Sequence, residues 1–271
     1  MIGAIIGDIV GSPYEFDNIK TKIFPLFNNL SIFTDDTVMT IAIGQALSEY
    51  NREDGLDSFK ENLIDIMHSF GARYPDCGFG GRFEDWVLNK SREPYNSCGN
   101  GSAMRVSPVA WYANCLEEAE ELAKASAEIT HNHPDGIKGA QATAAAIYLA
   151  RIGKTKQEIK DYIENKYYQI PFTLDEIRPT YEFVAVNDGT VQPALEAFFE
   201  SNSFEDAIRN AISIGGDSDT IGAITGAVAE AYYGIDQDLK ETALSFLDND
   251  LLDDVELVLK SMKGWINDEQ K

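Results

Sequence analysis

Apolar positions along the chain recur mainly at spacings of three and four, the period of helices that bury one face. In Thr37–Tyr50, Val38, Ile41, Ala42 and Ala46 follow this spacing, and similar patterns recur throughout the 271 residues. Start signals support the helical reading. Thr155-x-x-Glu158, Thr173-x-x-Glu176 and Ser203-x-x-Asp206 have the form of capping boxes or close variants, in which a hydroxyl and a carboxylate three residues apart satisfy free N–H groups. The pattern predicts helices over Ile2–Val10, Thr37–Tyr50, Asp57–Gly71, Gly101–Tyr112, Cys115–Thr130, Gly136–Ile152, Thr155–Tyr167, Thr173–Phe183, Val191–Glu200, Phe204–Ser213, Thr220–Tyr233 and, in two pieces, Leu239–Trp265. Strand-like alternation is scarce, with Phe183–Val186 the best short candidate. No repeat, low-complexity tract or Pro/Gly-rich linker divides the chain, so a single compact all-α domain over residues 1–271 is expected.

Two of these helices have bare faces. Gly3, Gly7 and Gly11 fall every fourth residue, as do Gly222 and Gly226, and Ala140, Ala142 and Ala144–Ala146 enrich a third helix in small residues. Glycine inside a helix costs about 1 kcal/mol relative to alanine. Its repetition therefore points to close backbone approach between central helices, which would bring the two ends of the chain together.

Lys and Arg total 22 against 45 Asp and Glu, a formal net charge of −23. Such a surface repels nucleic-acid backbones and anionic membranes, and excludes a general nucleic-acid binder. An anionic ligand would need a locally positive site, from metal ions or helix N-termini. The three cysteines, Cys77, Cys98 and Cys115, form no metal-ligand pattern and cannot all pair, which fits a reducing, cytoplasmic setting. The opening stretch is apolar but holds Asp8 and Glu15 and has no basic flank, unlike a signal peptide. No apolar run approaches the length of about 20 residues needed to span a bilayer.

Against this background two acidic segments stand out. Thr34-Asp35-Asp36-Thr37 and Asp217-Ser218-Asp219-Thr220 each precede an apolar-periodic helix. Alone, each reads first as a helix cap. Together they form an oxygen-rich set suited to Mg²⁺, Mn²⁺ or Ca²⁺ rather than zinc. Glu15, displayed after Gly11-Ser12-Pro13-Tyr14, adds a fifth carboxylate. Five converging negative charges would raise one another's pKa values. Two divalent cations would leave a balance of about −1, one cation about −3, so a dinuclear site is the expectation. A pair of ions roughly 3.5–4 Å apart can orient and activate a water between them.

Taken together, these residues resemble the ADP-ribosylglycohydrolase family, from Gly3-Ala4-Ile5-Ile6-Gly7-Asp8 to Gly215-Gly216-Asp217-Ser218-Asp219-Thr220-Ile221-Gly222. The resemblance implies a compact orthogonal helical bundle with two Mg²⁺ or Mn²⁺ ions, held by Thr34, Asp35, Asp36, Asp217, Asp219 and Thr220. It gives Glu15 the role of gating or positioning substrate. Asn100-Gly101-Ser102-Ala103-Met104-Arg105 resembles the family's Gly/Ser loop, where N–H groups and the Ser102 hydroxyl would meet the diphosphate of ADP-ribose. Gly78, Phe79 and Gly80, in Cys77-Gly78-Phe79-Gly80-Gly81, fall where relatives contact the ribose and diphosphate. In Thr130-His131-Asn132-His133 the family pattern favours His131 in the pocket, with His133 as the alternative; no partner at metal spacing supports zinc. His68, Trp86, Trp111 and Trp265 read as packing residues, and Phe79 or Tyr112 as options for stacking on adenine.

The implied activity is metal-dependent hydrolysis at the anomeric carbon of ADP-ribose, releasing it from a protein side chain such as arginine or serine, or from a small-molecule conjugate. Asp35 or Asp36 would act as general base and Glu15 as substrate latch or acid/base. A two-metal nucleotide-diphosphate phosphohydrolase and a non-catalytic ADP-ribose-binding protein on the same scaffold are the alternatives. The protein is expected to act as a monomer.

Overall fold

The computed structural model describes residues 1–267. In chain order its α-helices are α1 (Ile2–Gly11), α2 (Asp35–Glu49), α3 (Gly55–Arg73), α4 (Gly81–Leu88), α5 (Gly101–Met104), α6 (Ser107–Tyr112), α7 (Leu116–Glu128), α8 (Pro134–Arg151), α9 (Lys156–Lys166), α10 (Leu174–Ile177), α11 (Asn187–Phe199), α12 (Phe204–Ser213), α13 (Ser218–Tyr233), α14 (Gln237–Leu244) and α15 (Asn249–Asn267). Among the described residues there is no strand, and no helix is long and apolar enough to cross a membrane.

Helix α13 is the centre. Every residue from Ser218 to Ala229 is buried, as is every residue of α1. Helices buried on all sides need small contact residues, and the two glycine stripes supply them by facing each other. A Cβ built on Gly7 would lie 1.9 Å from the Gly222 carbonyl oxygen; on Gly226, 2.0 Å from the Gly3 oxygen; on Gly11, 2.4 Å from the Ser218 oxygen. No side chain fits there. The Gly3 N–H donates to Glu230 Oε2 at 2.7 Å, pinning the far end of the pair. The stripe thus delivers the end of α1, with Glu15 just beyond it, to the start of α13. Helices α2, α8, α11 and α12 pack around these two, and one hydrophobic core runs from Met1 to Met262.

Thr155 and Thr173 form full capping boxes with Glu158 and Glu176, and Ser203 accepts from the Asp206 N–H. Three predicted elements differ. The helix expected over Gly101–Tyr112 breaks at Arg105–Val106 and restarts as α6 with Pro108 in its first turn, where the missing N–H is harmless. The helix expected over Thr173–Phe183 stops at Ile177: Arg178 keeps helical angles, but Pro179 has no N–H to continue the ladder. The strand expected over Phe183–Val186 is extended backbone with a single bridge, Gly99 to Val186. Helix α4 was hidden by its glycine-rich entry; Phe83 and Trp86 bury its inner face.

Candidate active site

Each acidic segment is held in place by a named partner. Asp8, a fully buried carboxylate on α1, accepts from the Thr34 N–H (2.9 Å), Thr34 Oγ1 (2.8 Å), the Thr37 N–H (3.1 Å) and Thr37 Oγ1 (2.5 Å). It fastens the entry of α2 to α1 and so aims Asp35 and Asp36. Sequence reading assigned Asp8 no role; the signal was a lone acid in an otherwise apolar helix. On the other side, Asn100 Nδ2 donates to Asp217 Oδ2 at 2.7 Å and to Thr190 Oγ1 at 3.2 Å, which fixes the Asp217 rotamer.

These segments share one cavity of about 370 Å³, within the range of small-molecule sites. Of the expected site residues, Glu15, Asp35, Asp36, Gly78, Phe79, Gly80, Asn100, Gly101, Met104, His131, Asp217, Asp219 and Thr220 line it. Glu15, Asp217 and Asp219 bring oxygens within 4.8 Å of one another. Asp36 Oδ2 accepts from Thr220 Oγ1 at 3.2 Å, while Asp36 Oδ1 is buried with no hydrogen-bond partner. A buried carboxylate oxygen without a donor is costly and fits a cation ligand. All the donors in this set are hard oxygens, as Mg²⁺ or Mn²⁺ requires.

Thr34 lies behind the acids and does not line the cavity. Its hydroxyl proton goes to Asp8 and it accepts from the Asp36 N–H at 3.3 Å. Ser102 and Ala103 correct the expected diphosphate contacts: both are fully buried. The Ser102 hydroxyl donates to the Gly136 oxygen (2.7 Å) and accepts from Asn187 Nδ2 (3.2 Å), and the Ala103 N–H bonds the Asn100 oxygen (2.9 Å). Phe79 packs on Phe83 at 4.7 Å with one edge on the cavity; Tyr112 is buried against Tyr50 and Trp265, away from it. His68 stacks on Trp86 as a packing residue. Sequence reading missed Met39, Arg82, Tyr95, Ser97, Phe183 and Ala185 in the wall, several of them on irregular backbone that leaves no periodic signal.

His131 rather than His133 faces the cavity; His133 Nδ1 caps α8 through the Asp135 N–H. Burial, then Arg105 and Arg82, hold His131 well below the usual imidazole range, so its ring is neutral. Arg105 Nη2 donates to Thr130 Oγ1 at 2.7 Å, and that hydroxyl lies 2.8 Å from His131 Nδ1. Arg105 occupies one Thr130 lone pair and leaves the hydroxyl proton available to Nδ1; in that tautomer the ring carries an Nε2–H beside Gly101.

Electrostatically the cluster is frustrated without cations. Burial, then Asp219 and Asp8, push Glu15 up to about 8; burial lifts Asp8 and Asp217 to about 6. Asp35, Asp36 and Asp219 rise well above the carboxylate range, chiefly by burial and then by their neighbours' charges. The folded chain therefore holds more protons than the unfolded chain between roughly pH 4 and 8, so stability falls as pH rises through that window. In EDTA, the melting temperature should be lower at pH 8 than at pH 5.5, and Mg²⁺ should raise it more at pH 8. A flat or rising profile in EDTA would contradict this electrostatic reading.

Bundle and cluster together define an α-helical hydrolase with an acidic site for divalent metal. The chain belongs to the ADP-ribosylglycohydrolase family, whose model matches residues 1–267, and it is a hydrolase that removes ADP-ribose by cleaving the glycosidic bond. It is similar to the human ADP-ribosylhydrolase ARH3 (27% identical, covering 88% of this chain and 85% of the relative). It is also similar to the ADP-ribosylarginine hydrolase Tri1 of Pseudomonas putida strain GB-1 (26%, covering 87% and 70%) and to the ADP-ribosyl-[dinitrogen reductase] glycohydrolase of Rhodospirillum rubrum (28%, covering 79% and 73%). A solved chain titled ADP-ribosylglycohydrolase-related protein complex shares the fold at a TM-score of 0.72, with 22% identity and coverage of 97% and 96%.

Proposed function

We propose that the cavity binds an ADP-ribosyl group with its ribose at the carboxylate cluster and its diphosphate toward His131 and Gly101, and that water cleaves the bond from the anomeric carbon to a protein side chain. The observation that carries this reading is the partnerless, buried Asp36 Oδ1 beside the Glu15–Asp217–Asp219 trio. Asp35, Asp36, Asp217 and Asp219, with the Thr220 hydroxyl, would hold two ions, Mg²⁺ or Mn²⁺, while Thr34, turned to Asp8, holds the Asp35–Asp36 segment in place. When bound, these supply Lewis acidity and lower the pKa of water.

The protein's own groups do the rest. Asp35 is less enclosed than Asp36 and free of the Thr220 hydroxyl, so it is the residue assigned to take the proton of the attacking water. Glu15, on a turn rather than a helix, positions the ribose against the cluster. The His131 Nε2–H offers one neutral donor to the diphosphate. Acceptors in the named relatives include arginine, and a side-chain acceptor is proposed here too; the free cysteines Cys77, Cys98 and Cys115 suit a cytoplasmic setting.

The test offers ADP-ribosyl-arginine and ADP-ribosyl-serine peptides in EDTA and then with Mg²⁺ or Mn²⁺. Intact ADP-ribose released only with metal supports the reading. Release of AMP would move the protein to the phosphohydrolase alternative, and tight ADP-ribose binding without turnover to the binding-protein one.

A further inference from the structure

The Glu15 arm and the Asp217–Asp219 arm carry like charges that repel, yet their oxygens sit within 4.8 Å. The α1–α13 contact runs to Gly11, where a Cβ would meet the Ser218 oxygen and Asp219 Cα, and Ser218 Oγ donates to the Tyr14 oxygen at 3.3 Å. Beyond this contact, two exposed polar side chains, Asn18 and Lys20, tie the segment around Glu15 to the loop that leads into Asp217.

The Asn18 carboxamide bonds both arms. Its Nδ2 lies 2.6 Å from the Tyr14 oxygen, 3.0 Å from the Glu15 oxygen and 2.9 Å from the Gly216 oxygen, while its Oδ1 accepts from the Gly216 N–H at 2.7 Å. Lys20 Nζ donates to the Ile214 oxygen (2.5 Å), at the C-terminal end of α12 where a cation is favoured, and to the Tyr181 oxygen (2.6 Å). The receiving loop is shaped for this contact. Gly215 and Gly216 have φ of 71° and 80°, and a Cβ on Gly215 would come 2.8 Å from Lys20 Nζ and 3.0 Å from Asn18 Oδ1.

We propose that Asn18, assisted by Lys20, is a positioning residue for the metal centre: a clasp that binds the Glu15 turn to the Gly215–Gly216 loop and so holds Glu15, Asp217 and Asp219 at ligand distance against their repulsion. Neither side chain lines the cavity, so both act through the carboxylates. The proposal rests on the two-cation reading above. Asn18 is exposed, and its replacement is expected to leave the bundle folded, which the melting curves check.

The test titrates Mn²⁺ into wild type, Asn18→Ala, Asn18→Asp and Lys20→Met, following free Mn²⁺ by electron paramagnetic resonance, with melting curves alongside. The clasp predicts at least a tenfold loss of Mn²⁺ affinity in both Asn18 variants, a smaller loss in Lys20→Met, and turnover that recovers toward the wild-type kcat at saturating Mn²⁺. Aspartate discriminates among roles. It keeps the size and the acceptor but loses the amide donors, and its added charge alone would strengthen cation binding; a space-filling role therefore predicts no loss. Wild-type Mn²⁺ affinity in both Asn18 variants would overturn the clasp, whereas a wild type that binds no Mn²⁺ would overturn the metal reading itself.

Discussion

Replacing Asp219 with alanine is expected to lower metal-dependent release of ADP-ribose by at least about 10³-fold, because a lost ligand removes several kcal/mol of charge stabilisation at the reacting centre. The same change should raise the melting temperature of the metal-free protein. Asp219 is buried among carboxylates, and its own pKa is lifted by burial first and then by Asp217; without cations it contributes repulsion and desolvation cost rather than stability. The two effects pull in opposite directions, as expected where a site's chemistry is bought with stability. Thermal melts in EDTA and product assays with Mn²⁺ on the same preparation check both. Undiminished turnover in Asp219→Ala would remove it from the site, and a lower melting temperature without metal would show that the carboxylate is a structural partner instead.

The second large effect is expected far from the chemistry. Gly7→Ala places a methyl 1.9 Å from the Gly222 carbonyl oxygen, and the obstacle is backbone, which cannot rotate away. Overpacking of a core ordinarily costs about 1–3 kcal/mol, and a clash with a rigid main chain belongs at or above the top of that range. Helices α1 and α13 must separate to accommodate it, and that carries Glu15 and Asp8 away from Asp217 and Asp219. Loss of metal affinity should therefore accompany loss of stability. Gly264→Ala serves as the control: a Cβ there meets nothing within 4 Å, and it should behave as wild type or better. A Gly7→Ala protein with wild-type denaturant midpoint would show that the helix contact tolerates separation.

The parts of this molecule that were legible in the sequence are those with a local or periodic signature. The glycine stripes could be read because a period of four on a helix marks one face, and they proved to be the contact that joins the chain's ends. The capping boxes at Thr155 and Thr173 could be read because cap chemistry involves residues three apart. What lay beyond reading were features set by tertiary partners. Nothing near Asp8 in sequence reveals that its four donors come from Thr34 and Thr37. The Ser102 hydroxyl looked free to bind a ligand until α8 and Asn187 were placed around it. Pro179 was a local signal that the helical pattern across Thr173–Phe183 masked, and its effect was large: it ends α10 and releases the extended stretch that brings Phe183 and Ala185 to the cavity wall.

In the proposed site, two acidic segments about 180 residues apart, Asp35–Asp36 and Asp217–Asp219, act as one centre for two cations. Crystals grown with Mn²⁺ and measured for anomalous scattering test it directly. Two peaks roughly 3.5–4 Å apart are expected, enclosed by Asp35 and Asp36 on one side and Asp217 and Asp219 on the other. Manganese bound elsewhere with this cluster empty, or a single ion touching one segment alone, would contradict it.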